Sequence, residues 1–193
     1  MFYFLIASYL LGSISSAIII CKIASLPDPR TKGSKNPGAT NVLRIGGKKI
    51  AALVLLFDGL KGALPLMLGH YFGISLFELT IFLLCAFLGH LFPIYYGFKG
   101  GKGVATFLGG LIGLNFFVGL TFLIIWLIVA KVIKISSIAA LTATLLSPIY
   151  FYLIATHDLK ATLVIFVINL FIYFTHRSNI KRIINGEEGF IGS

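Results

Sequence analysis

Four stretches of this chain carry no charged residue at all: 2–21, 104–130, 135–156 and the shorter 161–175. A helix needs about 20 apolar residues to cross ~30 Å of hydrocarbon. Inside lipid every backbone polar group must be bonded within the protein. Continuous apolar runs satisfy that condition as helices, whereas the strands of a barrel would alternate. The remaining composition agrees, with 58% apolar residues and 11% charged. A soluble domain carries roughly a quarter charged residues. The chain is therefore read as an all-α polytopic membrane bundle forming a single domain, 1–193.

A net charge of +10 would suit a nucleic-acid partner, but the basic residues lie in short segments between apolar runs, the pattern that orients a protein in a bilayer. No nucleic-acid partner is expected. Cys21 and Cys85 sit in apolar stretches at no metal or redox spacing. The first run lacks a basic leader and a cleavage site, so it is read as a retained helix.

Hydropathy places spans near 2–22, 49–72, 74–96, 136–156 and 159–176, and leaves 104–131 as either one tilted helix or two short ones. Charge decides between them. Lys22, Arg30, Lys32, Lys35, Arg44, Lys48 and Lys49 fill the first connection. Lys99 and Lys102 follow the third span, Lys131 and Lys134 precede 136–156, and Arg177, Lys181 and Arg182 follow the last. Together these are fourteen of the 16 basic residues. Placing all of them in the cytoplasm requires the chain to turn back within 104–131, where Gly113, Asn115 and Gly119 can weaken the helix. The expectation is seven transmembrane segments, N-terminus outside and C-terminus cytoplasmic, with each half of 104–131 about 14 residues long. Six helices with Lys131 outside is the alternative.

The unusual polar residues collect on one side. The first connection contains Ser34, Gly38, Thr40, Asn41 and Arg44 among turn-forming residues. Amides in such turns cradle anions, and a guanidinium grips phosphate with two parallel bonds. The third contains Lys99-Gly100-Gly101-Lys102-Gly103 ahead of a helix, and helix N-termini attract anions. It is not a nucleotide-binding P-loop, because Tyr96 and Gly103 stand where glycine and Ser or Thr are needed. Asp58 and Lys61, three apart in the second span, share a helical face and can pair; they support the loop, bind substrate or fix packing. His90 ends the third span as a structural residue. Ser136 and Ser137 are candidate caps or phosphate donors. His176 and Asn179, on a tail continuing the last helix, also share a face.

Taken in order, these segments resemble the bacterial acyl-phosphate:glycerol-3-phosphate acyltransferase family. The matching residues are Gly33-Ser34-Lys35-Asn36-Pro37-Gly38-Ala39-Thr40-Asn41-Val42-Leu43-Arg44, Asp58-Gly59-Leu60-Lys61-Gly62, Gly89-His90-Leu91-Phe92-Pro93 through Phe98-Lys99-Gly100-Gly101-Lys102-Gly103-Val104-Ala105-Thr106, and His176-Arg177-Ser178-Asn179-Ile180-Lys181-Arg182 before Gly186-Glu187-Glu188. Each motif is weak alone; four in this order are specific, and they span essentially the whole chain.

The resemblance implies a multi-pass enzyme of the bacterial inner membrane, functional as a monomer, with its site on the cytoplasmic side. It implies transfer of a fatty acyl group from acyl phosphate to the sn-1 hydroxyl of glycerol 3-phosphate, without cofactor or metal. No His in the chain is followed by Asp five positions on, so the dyad of other glycerolipid acyltransferases is absent. Glycerol 3-phosphate is expected on Ser34, Arg44 and Lys102, and the acyl-phosphate head among Gly38, Thr40, Asn41, Gly101, Gly103, Ser136, Ser137, His176 and Asn179. The catalytic set is expected to be His176, Asn179, Lys102 and Asn41, supported by Asp58, Lys61 and His90. Asn179 or the amides of 101–103 would stabilise an oxyanion. His176 or the donor phosphate would take the proton. A transporter for a phosphorylated anion is the competing class; it predicts polar groups at mid-membrane and internal symmetry.

Overall fold

The computed structural model describes residues 1–191, so the domain end expected at 193 lies outside the described residues. Within them the chain is helical without a strand: α1 (Phe2–Gly12), α2 (Ser16–Ile23), α3 (Ala39–Tyr71), α4 (Leu76–Leu91), α5 (Val104–Leu114), α6 (Phe116–Ile133), α7 (Ser136–Phe151), α8 (Leu159–Thr175) and α9 (Arg177–Ile184). Four segments are long and apolar enough to cross a membrane: Ala39–Tyr71, Leu76–Tyr96, Phe116–Ile133 and Ser136–Thr156. Two bent pairs, α1 with α2 at 42° and α8 with α9 at 58°, bring the number to six if each is one span. The tail therefore does not simply continue the last helix, as expected from sequence; it breaks at His176 and turns.

The break expected within 104–131 falls at Asn115. Its side chain accepts the amides of Phe117 and Val118 at 3.0 and 3.2 Å and caps α6. The chain reverses there: a Cβ on Gly119 would stand 2.7 Å from the Cα of Ile112, whereas residues seven apart in one continuous helix lie about 10 Å apart. The two halves are unequal, 11 and 18 residues, and not about 14 each. α3 likewise divides. Gly47 sits at φ 77°, ψ −179°, which separates a first stretch bearing Asn41 and Arg44 from the apolar remainder.

Lipid tails are as apolar as leucine, so membrane helices associate through close packing and interhelical hydrogen bonds. α5 lies against α3 on small residues, where a Cβ on Gly62 would meet the Thr106 carbonyl oxygen at 2.0 Å. α1 meets α4 in the same way at Gly12 and Ala86. Larger side chains, among them Phe82, Phe87, Phe107, Phe122 and Phe151, fill the remaining interior.

Two backbone defects are repaired by neighbouring helices. Pro148 has no N–H to give the Thr144 carbonyl, and that oxygen accepts instead from Asn169 Nδ2 of α8 at 2.7 Å and Ser147 Oγ at 2.8 Å. The break between α1 and α2 leaves the Ile14 carbonyl, to which Lys61 Nζ donates at 2.8 Å. Lys61 also pairs with Asp58 at 2.8 Å, and Asp58 accepts Ser16 Oγ at 2.7 Å. The i,i+3 pair expected from sequence forms, and it ties the broken first span to α3.

Candidate active site

A cavity of about 710 Å³ opens where the first connection, the glycine-rich loop, the start of α7 and the α8–α9 bend meet. Ser34, Gly38, Thr40, Asn41, Arg44, Lys102, Gly103, Ser136, Ser137, His176 and Asn179 all line it, with Asp58 and His90 at its back. The four segments that sequence placed on one side thus converge on one space. Its other wall is apolar, built from Leu55 of α3, Leu108 of α5, and Phe122, Leu123, Trp126 and Leu127 of α6. Leu55 and Leu127 are about half exposed on the outer surface, so this wall runs outward between α3 and α6.

Each polar residue owes its place to a local cause. Asn41 is buried, and it organises the first connection: Oδ1 accepts the Ser34 amide at 2.9 Å, and Nδ2 donates to the carbonyls of Pro29 and Lys32 at 2.8 and 3.0 Å. Those bonds hold the loop carrying Ser34 over the cavity. Asn41, expected to be catalytic, is spent on positioning. Arg30 pairs with Asp28 at 2.7 Å and lies over the ring of Tyr96, 6.0 Å from its centroid, which fastens this loop to the turn before the glycine-rich one.

The glycine-rich loop folds back onto the end of α4. Gly100 N–H donates to the Leu91 carbonyl at 3.1 Å and Gly101 N–H to that of His90 at 3.2 Å. Gly101, expected to hold the acyl-phosphate head, is buried against the His90 ring with its N–H on the His90 carbonyl, and it does not line the cavity. Gly103, at φ 86°, takes the left-handed turn into α5. The first amides of α5 have no intrahelical acceptor, and Val104 and Ala105 line the cavity.

Lys102 points its ammonium at Asn179, donating to Oδ1. Burial pulls this lysine down to about 8, Glu188 opposing the shift and Arg182 and Arg44 adding to it. Asn179 Nδ2 donates to Glu188 Oε1 at 2.6 Å. Ser137 Oγ donates to the same oxygen at 2.7 Å, and Arg182 Nε to Oε2 at 2.6 Å. Burial alone would raise the Glu188 carboxyl; the bonds from Asn179, Ser137 and Arg182 outweigh it and hold the group below the usual carboxylate range. Ile191 N–H to the Lys134 carbonyl, 2.8 Å, fastens the tail beyond it. Glu188 is the site residue that sequence reasoning missed. The available signal was an acid beyond the Gly186 turn and six residues after Arg182, in a chain with only six acidic residues.

The serine pair corrects another expectation. Neither caps α7, whose N-cap is Ile135. Ser136 Oγ lies 3.2 Å from Thr40 Oγ1, while Ser137 is bound to Glu188. His176 is buried, with Nδ1 2.8 Å from the Ile172 carbonyl oxygen. That oxygen only accepts, so Nδ1 carries the proton and Nε2 keeps its lone pair.

Cations and hydroxyls at one end and an apolar wall at the other, in a chain with helices long and apolar enough to cross a membrane, suit a ligand with an anionic head and an apolar tail. A family model described as glycerol-3-phosphate acyltransferase matches residues 2–186, and the chain belongs to that family. It is 58% identical over 187 residues to the glycerol-3-phosphate acyltransferase of Ruthia magnifica subsp. Calyptogena magnifica, covering 97% of this chain and 94% of that one. The enzyme of the same name from Thioalkalivibrio sulfidiphilus is 50% identical, with 97% and 92% covered. Among solved structures, PlsY (YgiH), an integral membrane glycerol 3-phosphate acyltransferase, superposes in its glycerol 3-phosphate form with TM-score 0.93 and 38% identity over 99% of this chain and 95% of that one. Its lysophosphatidic acid form gives 0.90 and 36% over 98% and 94%. The chain is a glycerol-3-phosphate acyltransferase.

Proposed function

We propose that the acyl donor is an acyl phosphate and that the acceptor is the sn-1 hydroxyl of glycerol 3-phosphate, giving lysophosphatidate and inorganic phosphate as the first acylation of bacterial phospholipid synthesis. The observation that carries this reading is the two-ended cavity: Arg44, Lys102, Ser34 and Ser136 at one end and the Phe122–Trp126 wall at the other.

The glycerol 3-phosphate phosphate binds Ser34, Arg44 and Lys102. The donor phosphate sits toward Gly38, Thr40, Gly103 and Ser136, beside His176 and Asn179. The acyl chain lies along the wall of α5 and α6 and leaves toward lipid between α3 and α6. Asn41 positions the first loop, and Gly101 acts behind the cavity.

The hydroxyl oxygen attacks the acyl carbonyl carbon, and the bond from that carbon to the phosphate oxygen breaks. The hydroxyl proton ends on the departing phosphate, which leaves as hydrogen phosphate. An acyl phosphate arrives activated, so holding both substrates in line and stabilising the oxyanion supply most of the acceleration. With Asn179 Nδ2 donating to Glu188, the free amides opening α5 are the better oxyanion donors. Because the phosphate needs that proton in any case, direct transfer to it is the simpler route, and His176 Nε2 then only accepts a hydrogen bond from the acceptor hydroxyl and orients it. A base role for Nε2 is the second reading, favoured by its unprotonated state.

The six candidate spans together with α5 make seven membrane segments in one domain. Basic connections support an N-terminus outside, a C-terminus and site facing the cytoplasm, and residence in the bacterial inner membrane. The functional unit in this reading is the monomer. The purified protein, given labelled glycerol 3-phosphate with palmitoyl phosphate or palmitoyl-CoA, should form 1-acyl lysophosphatidate only from the phosphate. Equal use of the CoA ester would overturn the donor assignment.

A further inference from the structure

At the back of the cavity the Asp58–Lys61 ion pair lies beside the His90 ring, the three exposed by only 2%, 4% and 6%. Burying ions at membrane depth is costly, and well-packed apolar residues commonly stabilise as well or better. Packing alone therefore does not account for a pair of this kind. The repair of the Ile14 carbonyl explains Lys61, but not His90.

His90 stands between the pair and the glycine-rich loop. Its Nδ1 is 3.8 Å from Asp58 Oδ1. On its far side the ring abuts Gly101, where a Cβ would lie 2.2 Å from Nε2 and 2.9 Å from Cε1. The Gly101 N–H meanwhile bonds the His90 carbonyl. The loop thus rests on His90 through both its ring and its main chain, and the next residue is Lys102. Asp58, itself held by Lys61 and Ser16, backs the ring.

We propose that Asp58, His90 and Gly101 form a positioning stack that sets how far Lys102 projects into the cavity, with the His90 ring as a wedge and Asp58 as its stop. The proposal rests on the reading of Lys102 as the phosphate-binding cation. His90 and Asp58 are positioning residues. Position 101 is glycine because the wedge occupies the volume a Cβ would need. Displacing a binding group by about 1 Å can cost 10²-fold in rate, so the stack is felt in turnover without touching substrate.

Steric reasoning makes the test two-sided. Adding a Cβ at 101 should drive the loop off the ring, and removing the ring should make room for it. The measurement is kcat and KM for glycerol 3-phosphate, with thermal midpoints in the same lipid-detergent mixture, for His90→Ala, Gly101→Ala, the double variant, His90→Asn and Lys102→Ala. The expectation is a loss in kcat/KM of about 10-fold for His90→Ala and about 100-fold for Gly101→Ala. The double variant should recover most of the way to the His90→Ala level, the Pro37 carbonyl oxygen 3.2 Å from the added Cβ remaining in place, a rescue that independent sites do not show. His90→Asn should restore part of the loss. If Gly101→Ala fails to accumulate, recovery of both expression and activity in the double variant is the same rescue.

Losses that multiply in the double variant would overturn the wedge. So would His90→Ala at full activity, or thermal midpoints that fall while kcat and KM of the folded fraction stay unchanged. Lys102→Ala separates the two claims: retained activity there removes the Lys102 reading, while the rescue at 90 and 101 judges the contact itself.

Discussion

Asn179 gives its Nδ2 to Glu188 at 2.6 Å while its Oδ1 receives Lys102, so one side-chain amide joins an anion to a cation across the reaction site. Glu188 holds Ser137 and Arg182 as well. Removing it frees three donors at once, two on α9 and one at the start of α7. Glu188→Ala is expected to lower kcat/KM by about 10–100-fold, the size of a lost charged hydrogen bond. Glu188→Gln should be milder, since its oxygen can still accept from Ser137. Steady-state rates with palmitoyl phosphate check both.

Lys102 gives a pH signature. Its ammonium is drawn down to about 8 by burial, so it is charged below that pH and neutral above it. Activity that needs the cation should fall as pH rises through 8, and Lys102→Arg, which stays charged, should remove that limb. Lys102→Ala should lose about 100-fold or more below pH 8, and the gap to wild type should narrow above it. A wild-type profile flat from pH 7 to 10 would rule out a charged Lys102 in turnover.

His176 distinguishes the two proton routes. Its Nδ1 is occupied by the Ile172 carbonyl, which leaves Nε2 to accept a hydrogen bond from the substrate hydroxyl or to take its proton. General bases contribute about 10²–10⁴-fold. With the donor phosphate as acceptor, His176→Asn should keep kcat within about tenfold and act mainly on KM. A loss beyond 10² at saturating substrate would make the imidazole the base.

Away from the site, Asn169 repairs the helix break at Pro148. Asn169→Leu should lower stability by about 1 kcal/mol, the usual size of an interhelical hydrogen bond in a membrane. Thermal inactivation should report this with kcat unchanged. Pro148→Ala in that background should recover much of the loss, because the helix then supplies its own N–H.

The membrane class and the one-sided gathering of polar residues were legible because both are written in consecutive residues: apolar runs, basic connections and glycine-rich turns. The Asp58–Lys61 pair was legible because helical spacing alone brings the two together. What escaped depends on contacts between distant segments. Ser137 reads as a cap until Glu188, 51 residues later, claims its hydroxyl. Gly101 reads as an anion-binding turn until the His90 ring is seen behind it. The lengths on either side of Asn115 were also hidden, since hydropathy is uniform across that turn and only the asparagine's capping bonds fix where it falls.

The inequality of those two helices has a consequence for where the chemistry happens. α6, at 18 residues, is about 27 Å long, and the antiparallel α5, at 11 residues, about 16 Å. Starting together at Asn115, they end at different depths, and α5 stops roughly 10 Å short of the level that α6 reaches. The glycine-rich turn therefore lies nearer the Asn115 end of this hairpin than the Lys134 end of α6 does. Under the proposed reading, a hydrophilic acceptor would have to reach down past the end of α6 to meet the donor, while an acyl chain lying along α6 would stay beside lipid throughout.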